Sequence, residues 1–528
     1  MQRGKYLRLI ISELLIPVEK DGISEYIKAA ALRLAVSEKN LELYKILSRA
    51  LNSKDKAQFY YELSVVVTVA APFENKAGFP SYIEKTPAPK RVKASGERPI
   101  IIGFGPAGMF AALELIEYGY KPLIFERGKI IEDRHTDIKR FVEEKVLDAE
   151  SNIQFGEGGA GAYSDGKLFS RAKNSAYIDK VLDSFIRFGA PPEISYAGRP
   201  HLGTDILCEL VRNIRNYIIE HGGEIFFGSK MTGLLITDNT CRGVVINGRK
   251  EYFSSSVYLA IGHSARDTFT LLHGKGVALE QKPVSVGIRI EHPVEIINQM
   301  QYGEKYKNFP GLGAAGYSFN YSDEKTKRRL NTFCMCPGGE VVNASSENGL
   351  LVINGMSYSA RASAFSNTAF IITSYPSDYP GTSPLAGIEF QKEIEKKAYE
   401  AGGAGFEIPA QNLLDFLAGR ASAALNRNSC KIGTKAVDLK TLFPEFIGNT
   451  LLAAFRQWEK EYPLFVSKHG MLLAPETRTS CAVKILRTGE YGSVNIKNLF
   501  PIGEGSGYTG GITSSAADGI KAVEKVNS

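Results

Sequence analysis

The sequence predicts an α/β chain whose principal parallel-sheet domain is interrupted by an inserted α+β domain and preceded by a small α/β unit. Three observations predict it. A short apolar run, Ile100 to Ile102, enters Gly103, Gly105 and Gly108 in the spacing G-x-G-x-x-G, then a helical segment, then a second apolar run ending at Glu126. Near the end of the chain, NLFPIGEGSGYTGGITSSAADGIKAVEKV at 498–526 repeats the passage from strand through glycines to helix. Neither pattern recurs in the long stretch 285–480 between them.

The first 71 residues read as an accessory unit. LRLIISELLI and QFYYELSVVVTV have the β-branched and aromatic content of strands, and ISEYIKAAALRLAV between them has helical spacing with Ser24 as its cap. The start of the chain, basic and then apolar, is interrupted by Glu13 and lacks a small-residue cleavage site, so it reads as a strand and not a signal. Residues 72–97, rich in Pro, Lys and small side chains, read as a linker.

At 98–284 the first part of the parallel-sheet domain is expected. In the G-x-G-x-x-G unit, Gly103 allows a tight turn, Gly105 admits a pyrophosphate against the backbone, and Gly108 lets helix and strand pack closely. The helix N-terminus favours the phosphate charge, and Glu126 sits where a carboxylate binds ribose hydroxyls. Further on, GEGGAGAYSDGKLFSR at 156–171 crowds glycines beside charged residues, a texture that suits a ligand lying against bare backbone. A helix is expected from Asp205 to His221, followed by a meander with a turn at Asp238-Asn239 whose last strand ends at Gly262. Residues 285–480 would form the inserted domain, with a helix from Gly387 to Ala401, and 481–528 would return to the first domain.

Composition bounds the function. The chain has 528 residues, 44% hydrophobic and 23% charged, which suits a globular protein of several domains. With 64 Lys and Arg against 57 Asp and Glu, the net charge is only +7, and the basic residues are scattered, so nucleic acid is not an expected partner. The one dense cluster, Lys325, Lys327, Arg328 and Arg329, reads as a solvated face. Six cysteines, Cys208, Cys241, Cys334, Cys336, Cys430 and Cys481, have neither disulfide-scaffold density nor metal-knuckle spacing. A reducing, cytoplasmic setting without a bound metal is expected. No run of about 18 uncharged apolar residues is present, so no spanning helix is expected.

The segments GFGPAGMFAA, FGEGGAGAYSDGKL, GRPHLGTDIL, LAIGHSARDTF, TFCMCPGGEVVNASSENG and IGEGSGYTGGITSSAADGI together resemble the bacterial FAD-dependent, NAD-utilising dehydrogenases. That resemblance runs from about residue 95 to the end. It implies a discontinuous Rossmann-type FAD-binding domain with a glutathione-reductase-like fold, an inserted α+β substrate/cap domain and a small N-terminal α/β domain. FAD is the expected cofactor, because the C-terminal return segment places a helix N-terminus near the flavin edge that becomes negative on reduction. The cofactor-binding residues expected are Gly103, Gly105, Pro106, Ala107 and Gly108; Glu126, Arg127 and Arg134; Gly158, Gly159, Ala160, Gly161, Ser164 and Lys167; Gly262; and Gly503, Glu504, Gly510, Gly511 and Ile512.

Flavin carries the electrons itself, so the protein must position a small-molecule substrate, exclude water and move a proton. His263 is the first candidate for the proton, because imidazole titrates near neutrality; the alternative is a histidine that only hydrogen-bonds the cofactor. Arg266 is the candidate for binding a substrate anion, or else closes a salt bridge. Cys334-Met335-Cys336 invites a dithiol reading, but the tight ring of a C-x-C disulfide favours buried structural cysteines. A second G-x-G-x-x-G is absent, so either NAD(P)H binds as a co-substrate against the flavin without a fold of its own, or an organic substrate supplies the electrons. The expected function is an FAD-dependent oxidoreductase; the alternatives are an FAD-dependent RNA-modifying enzyme and a non-catalytic FAD-binding redox sensor.

Overall fold

A computed structural model describes residues 6–84, 97–168, 176–324 and 326–528. The central part of the expected linker, Lys325 and the end of the glycine loop at 169–171 lie outside the described residues.

The N-terminal unit is a three-stranded antiparallel sheet in which Tyr60–Ala70 lies between Tyr6–Pro17 and Leu41–Asn52. The helix Ile23–Leu34 covers it through Tyr26, Ala30, Ala31 and Leu34. Two expectations need correction here. LELYKILSRALN is a strand that the sequence reading missed, and Ser24 does not cap the helix. Gly22 occupies the cap position, which puts Ser24 inside the first turn.

The central domain is a five-stranded parallel sheet in the order Leu499–Pro501, Val257–Leu259, Ile100–Ile102, Leu123–Phe125, Glu224–Phe226. The middle strands are buried and, apart from the hydroxyl of Tyr258, apolar because helices or loops cover both faces. From Ile100–Ile102 the chain winds outward through the helix Pro106–Glu117 to Leu123–Phe125 and then Glu224–Phe226. It then returns to the other side of Ile100–Ile102. This reversal is a topological switch point, and the loops leaving the carboxyl ends of Ile100–Ile102 and Val257–Leu259 diverge there. The final helix, Ile512–Asn527, packs on Pro106–Glu117 at Gly519, where a side chain would overlap the Ala107 carbonyl. Chain end and dinucleotide unit thus share one core.

Between the third and fourth strands of that sheet in chain order lies a three-stranded meander, Met231–Thr237, Thr240–Ile246 and Lys250–Phe253. Its turn residues Asp238 and Asn239 take φ of 49° and 55°, the left-handed pair of a type I′ turn. Val257–Leu259 is not part of the meander: it ends at Leu259 and joins the parallel sheet, which leaves Gly262 in the loop beyond. The inserted domain is a seven-stranded sheet centred on Val284–Pro293 and Phe365–Ser374, antiparallel except for its last pair. The helix expected from Gly387 to Ala401 is Ala386–Ala401. Arg328 of the basic cluster is held by Asp378 through paired 2.7 Å hydrogen bonds.

Candidate functional site

At the switch point a cleft of about 360 Å³ opens between the parallel sheet and the inserted domain, within the range of small-molecule and cofactor sites. Its first wall is the turn Gly103–Gly105 and the start of the helix at Pro106. Gly103 has φ 98°, and a side chain there would overlap the Ala260 carbonyl, so the two diverging loops touch at glycine. Gly108 faces away from the cleft, against the Gly103 carbonyl, which is the packing role its spacing implied.

Glu126 is 4% exposed and lines the cleft. Its carboxylate accepts hydrogen bonds from the backbone amides of Phe104 (2.8 Å), Gly128 (2.9 Å) and Gly156 (3.0 Å). It therefore ties the first loop to the glycine loop and keeps lone-pair capacity for one further donor, such as a ribose hydroxyl. Arg127 also lines the cleft; Glu150 and Asp267 grip its guanidinium.

The glycine loop forms the second wall. A side chain on Gly159 would stand 3.0 Å from the Gly105 Cα, so the two loops meet backbone to backbone. Ala160, Gly161, Ser164 and Lys167 line the cleft beyond this contact. Arg134 lies behind the loop. Fully buried, it donates to the carbonyls of Asn152 (2.8 Å), Ile153 (2.9 Å) and Glu157 (2.6 Å), and burial lowers its pKa. It shapes the loop and does not line the cleft. Gly158 is likewise turned toward Val211 and Ala162.

The third wall comes from the returning loops. Gly262, His263, Glu504, Gly510, Gly511 and Ile512 face the cleft. Side chains built on Gly262 or Gly510 would meet nothing within 4 Å; this is open room beside bare backbone, as a flat ring lying on the main chain requires. The helix Ile512–Asn527 begins here without a side-chain cap, so its positive end faces the same room. His263 Nδ1 lies 3.5 Å from Glu504 Oε1, and its buried Nε2 has no hydrogen-bond partner among the described residues. Gly503 is not in the wall; it abuts Ala107 and donates its amide to Asp518.

Arg266 does not face the cleft, which corrects the expectation that it binds a substrate anion. Its side chain is 3% exposed, and both terminal nitrogens bond Glu395 at 2.8 Å, with Glu347 and Gln391 completing the set. Arg478 grips the same Glu395. Against the cost of burial, the two guanidinium groups hold the Glu395 carboxyl well below the usual carboxylate range. The bland alternative, a closed salt bridge, is what the chain builds.

Opposite the returning loops, the inserted domain contributes Phe333, Cys334, Asn354, Glu476, Arg478 and Thr479. Sequence reasoning missed most of these. The signal available was ETRTS directly after an apolar run at 471–475, the same strand-to-polar texture that marked Gly262 and His263. Among the described residues, no group of three His, Cys, Asp or Glu is arranged to hold a metal, and no helix is long and apolar enough to cross a membrane.

Comparison with known proteins matches part of the chain to a family model and most of it to a relative. Residues 283–479, the inserted domain, match the family model described as FAD-dependent protein, C-terminal domain-like. The solved structure of CtdE in complex with FAD aligns over 82% of this chain and 84% of its own at 12% identity and a TM-score of 0.33. A geranylgeranyl bacteriochlorophyll reductase-like protein from Thermoplasma acidophilum aligns over 81% and 79%, at 11% identity and a TM-score of 0.34. An uncharacterized protein of Clostridium beijerinckii is 39% identical over 515 residues, 96% of each chain. This chain belongs to the same family as that Clostridium protein, with an FAD-dependent C-terminal-type domain set into its parallel-sheet domain.

Proposed function

We propose that the cleft binds FAD and that the chain is an FAD-dependent oxidoreductase of a small-molecule substrate in the cytoplasm, with NAD(P)H as electron donor. The observation that carries this reading is the convergence of three bare-backbone loops, at Gly103–Gly105, Gly159–Gly161 and Gly510–Gly511, on one cleft at the switch point. The resemblance to NAD-utilising dehydrogenases supports the donor.

FAD would supply hydride transfer when bound. The chain's own residues do the rest. The loop amides and the helix start at Pro106 would hold the pyrophosphate, and Glu126 would accept from a ribose hydroxyl. The start of Ile512–Asn527 would stabilise negative charge at the far end of the cleft. His263 is the group placed to hold or move a proton: Glu504 faces its Nδ1, which leaves Nε2 as the free acceptor or donor. Phe333, Asn354 and Arg478 from the inserted domain would close the substrate side and exclude water.

The test is the flavin spectrum followed anaerobically as NADH and then NADPH are added in excess. Rapid bleaching of the flavin bands supports a pyridine-nucleotide donor. Bands that persist would overturn the donor and turn the search to an organic reductant.

A further inference from the structure

Cys334 and Cys336 sit where the inserted domain faces the glycine loop, and the backbone there is unusual. The strand Arg329–Cys336 pairs with Phe365–Ser374 in register until Phe333 meets Ala369; three steps later Cys336 meets Asn367, only two steps along its partner. One extra residue is therefore inserted, and Cys334 within the bulge takes φ 43°, left-handed for a side chain that rarely adopts it. Bulges of this kind re-aim side chains at functional sites. Here the bulge turns Cys334 into the cleft while Cys336 stays fully buried in the ladder.

Two cations, each with a carboxylate partner, stand beside the pair. From the glycine loop, Lys167 bonds the Met335 carbonyl and lies 2.6 Å from Asp165. From the strand Val284–Pro293, the fully buried Arg289 donates to the Cys334 carbonyl at 3.1 Å and approaches Cys336 Sγ at 3.8 Å. The opposing carboxylates are each engaged: Asp165 by Lys167, Arg361 and Ser357, and Glu476 by Arg289 at 2.7 Å. Cys336 Sγ donates to the Cys334 carbonyl at 3.2 Å; the neighbouring Cys336 lowers the Cys334 thiol against the effect of burial, with Lys167 and Arg289 adding to it and Asp165 opposing it, while burial raises Cys336. A structural pair of buried cysteines needs neither the bulge nor the two cations.

We infer that Cys334 and Cys336 are a redox-active dithiol of the cleft, with Cys334 the cleft-lining cysteine and Cys336 the buried one that completes the disulfide. This rests on the proposal that FAD occupies the cleft. The Cys334 thiolate and the Cys336 thiol join as an S–S bond; the two electrons released and the Cys336 proton pass to oxidised flavin, which becomes the reduced anion. Charge and protons balance, and the reverse step returns the dithiol. The small ring makes the disulfide easy to reduce. The substrate class implied is a thiol or disulfide small enough to reach Cys334.

The test uses the full FAD-loaded chain. Iodoacetamide at pH 6.5, with peptide masses read over time, is expected to modify Cys334 at least about tenfold faster than any other cysteine, since only a thiolate reacts at that pH. After mild oxidation with diamide, a 334–336 linkage is expected, and anaerobic dithionite titration should consume four electrons per chain in the wild type but two in Cys334→Ser and Cys336→Ser. Equal alkylation of all the cysteines, or two electrons in the oxidised wild type, would overturn the dithiol. The serine variants still bleaching with two electrons would leave FAD binding intact, so the two proposals fail separately.

Discussion

Gly103 and Gly262 lie in the loops that follow neighbouring strands of one sheet, and both take a positive φ, 98° and 70°. Yet a side chain on Gly103 would overlap the Ala260 carbonyl, while one on Gly262 meets nothing within 4 Å. The same contrast separates Gly108 and Gly503, which are packed, from Gly510, which is open. One side of the cleft is glycine because the protein is in the way; on the other the backbone borders open room. The charged residues divide likewise: Arg134 and Arg266 are consumed by protein partners, whereas the Nε2 of His263 is not.

Substitutions on the closed side should therefore act on stability, and those on the open side on ligand affinity. The largest effect expected is from Arg266→Met, which leaves Glu395 with one cation where it had two; the loss is about 3 kcal/mol by denaturant titration, with flavin content per folded chain unchanged. Loss of flavin at wild-type stability would return Arg266 to the cleft.

Buried histidines set the next effect. Burial lowers His292 and His201 from 6.5 to about 4; His292 Nε2 pairs with the Phe465 carbonyl, and its Nδ1 has no partner for a proton among the described residues. Between pH 6.5 and 4 the unfolded chain binds these protons and the folded chain does not, so stability is full above 6.5 and falls as pH drops through this window. Thermal unfolding at pH 7, 6 and 5 should show a steady decline. A flat profile would contradict neutral, buried imidazoles.

Gly108→Ala comes third. Alanine's helical preference returns about 1 kcal/mol, but the overlap with the Gly103 carbonyl exceeds it, for a net loss on the order of 1–2 kcal/mol. The smallest in energy and sharpest in meaning is Gly510→Val on the open side: unchanged melting temperature, with FAD affinity weakened about tenfold, some 1.4 kcal/mol.

Much of this division was legible in the sequence. The G-x-G-x-x-G unit, the glycine loop and the return segment all reach the cleft, because glycine spacing within a strand-to-helix passage encodes a close approach locally. Packing direction was not legible: nothing in the spacing says that Gly158 turns toward Val211, or that Arg134 faces three carbonyls. The fate of Arg266 depended on Glu395, 129 positions away, and on Arg478 beyond it. The substrate wall from Phe333 to Thr479 was obscure for the same reason, since it is assembled by sheet register across the inserted domain.

The measurement that tests the central claim most directly is reconstitution of the purified chain with FAD, followed by absorbance, beside Gly510→Val at matched stability. The account predicts one FAD per wild-type chain and a variant that folds but binds more weakly. A wild-type chain that takes up no flavin, or a variant that binds as tightly as wild type, would contradict it.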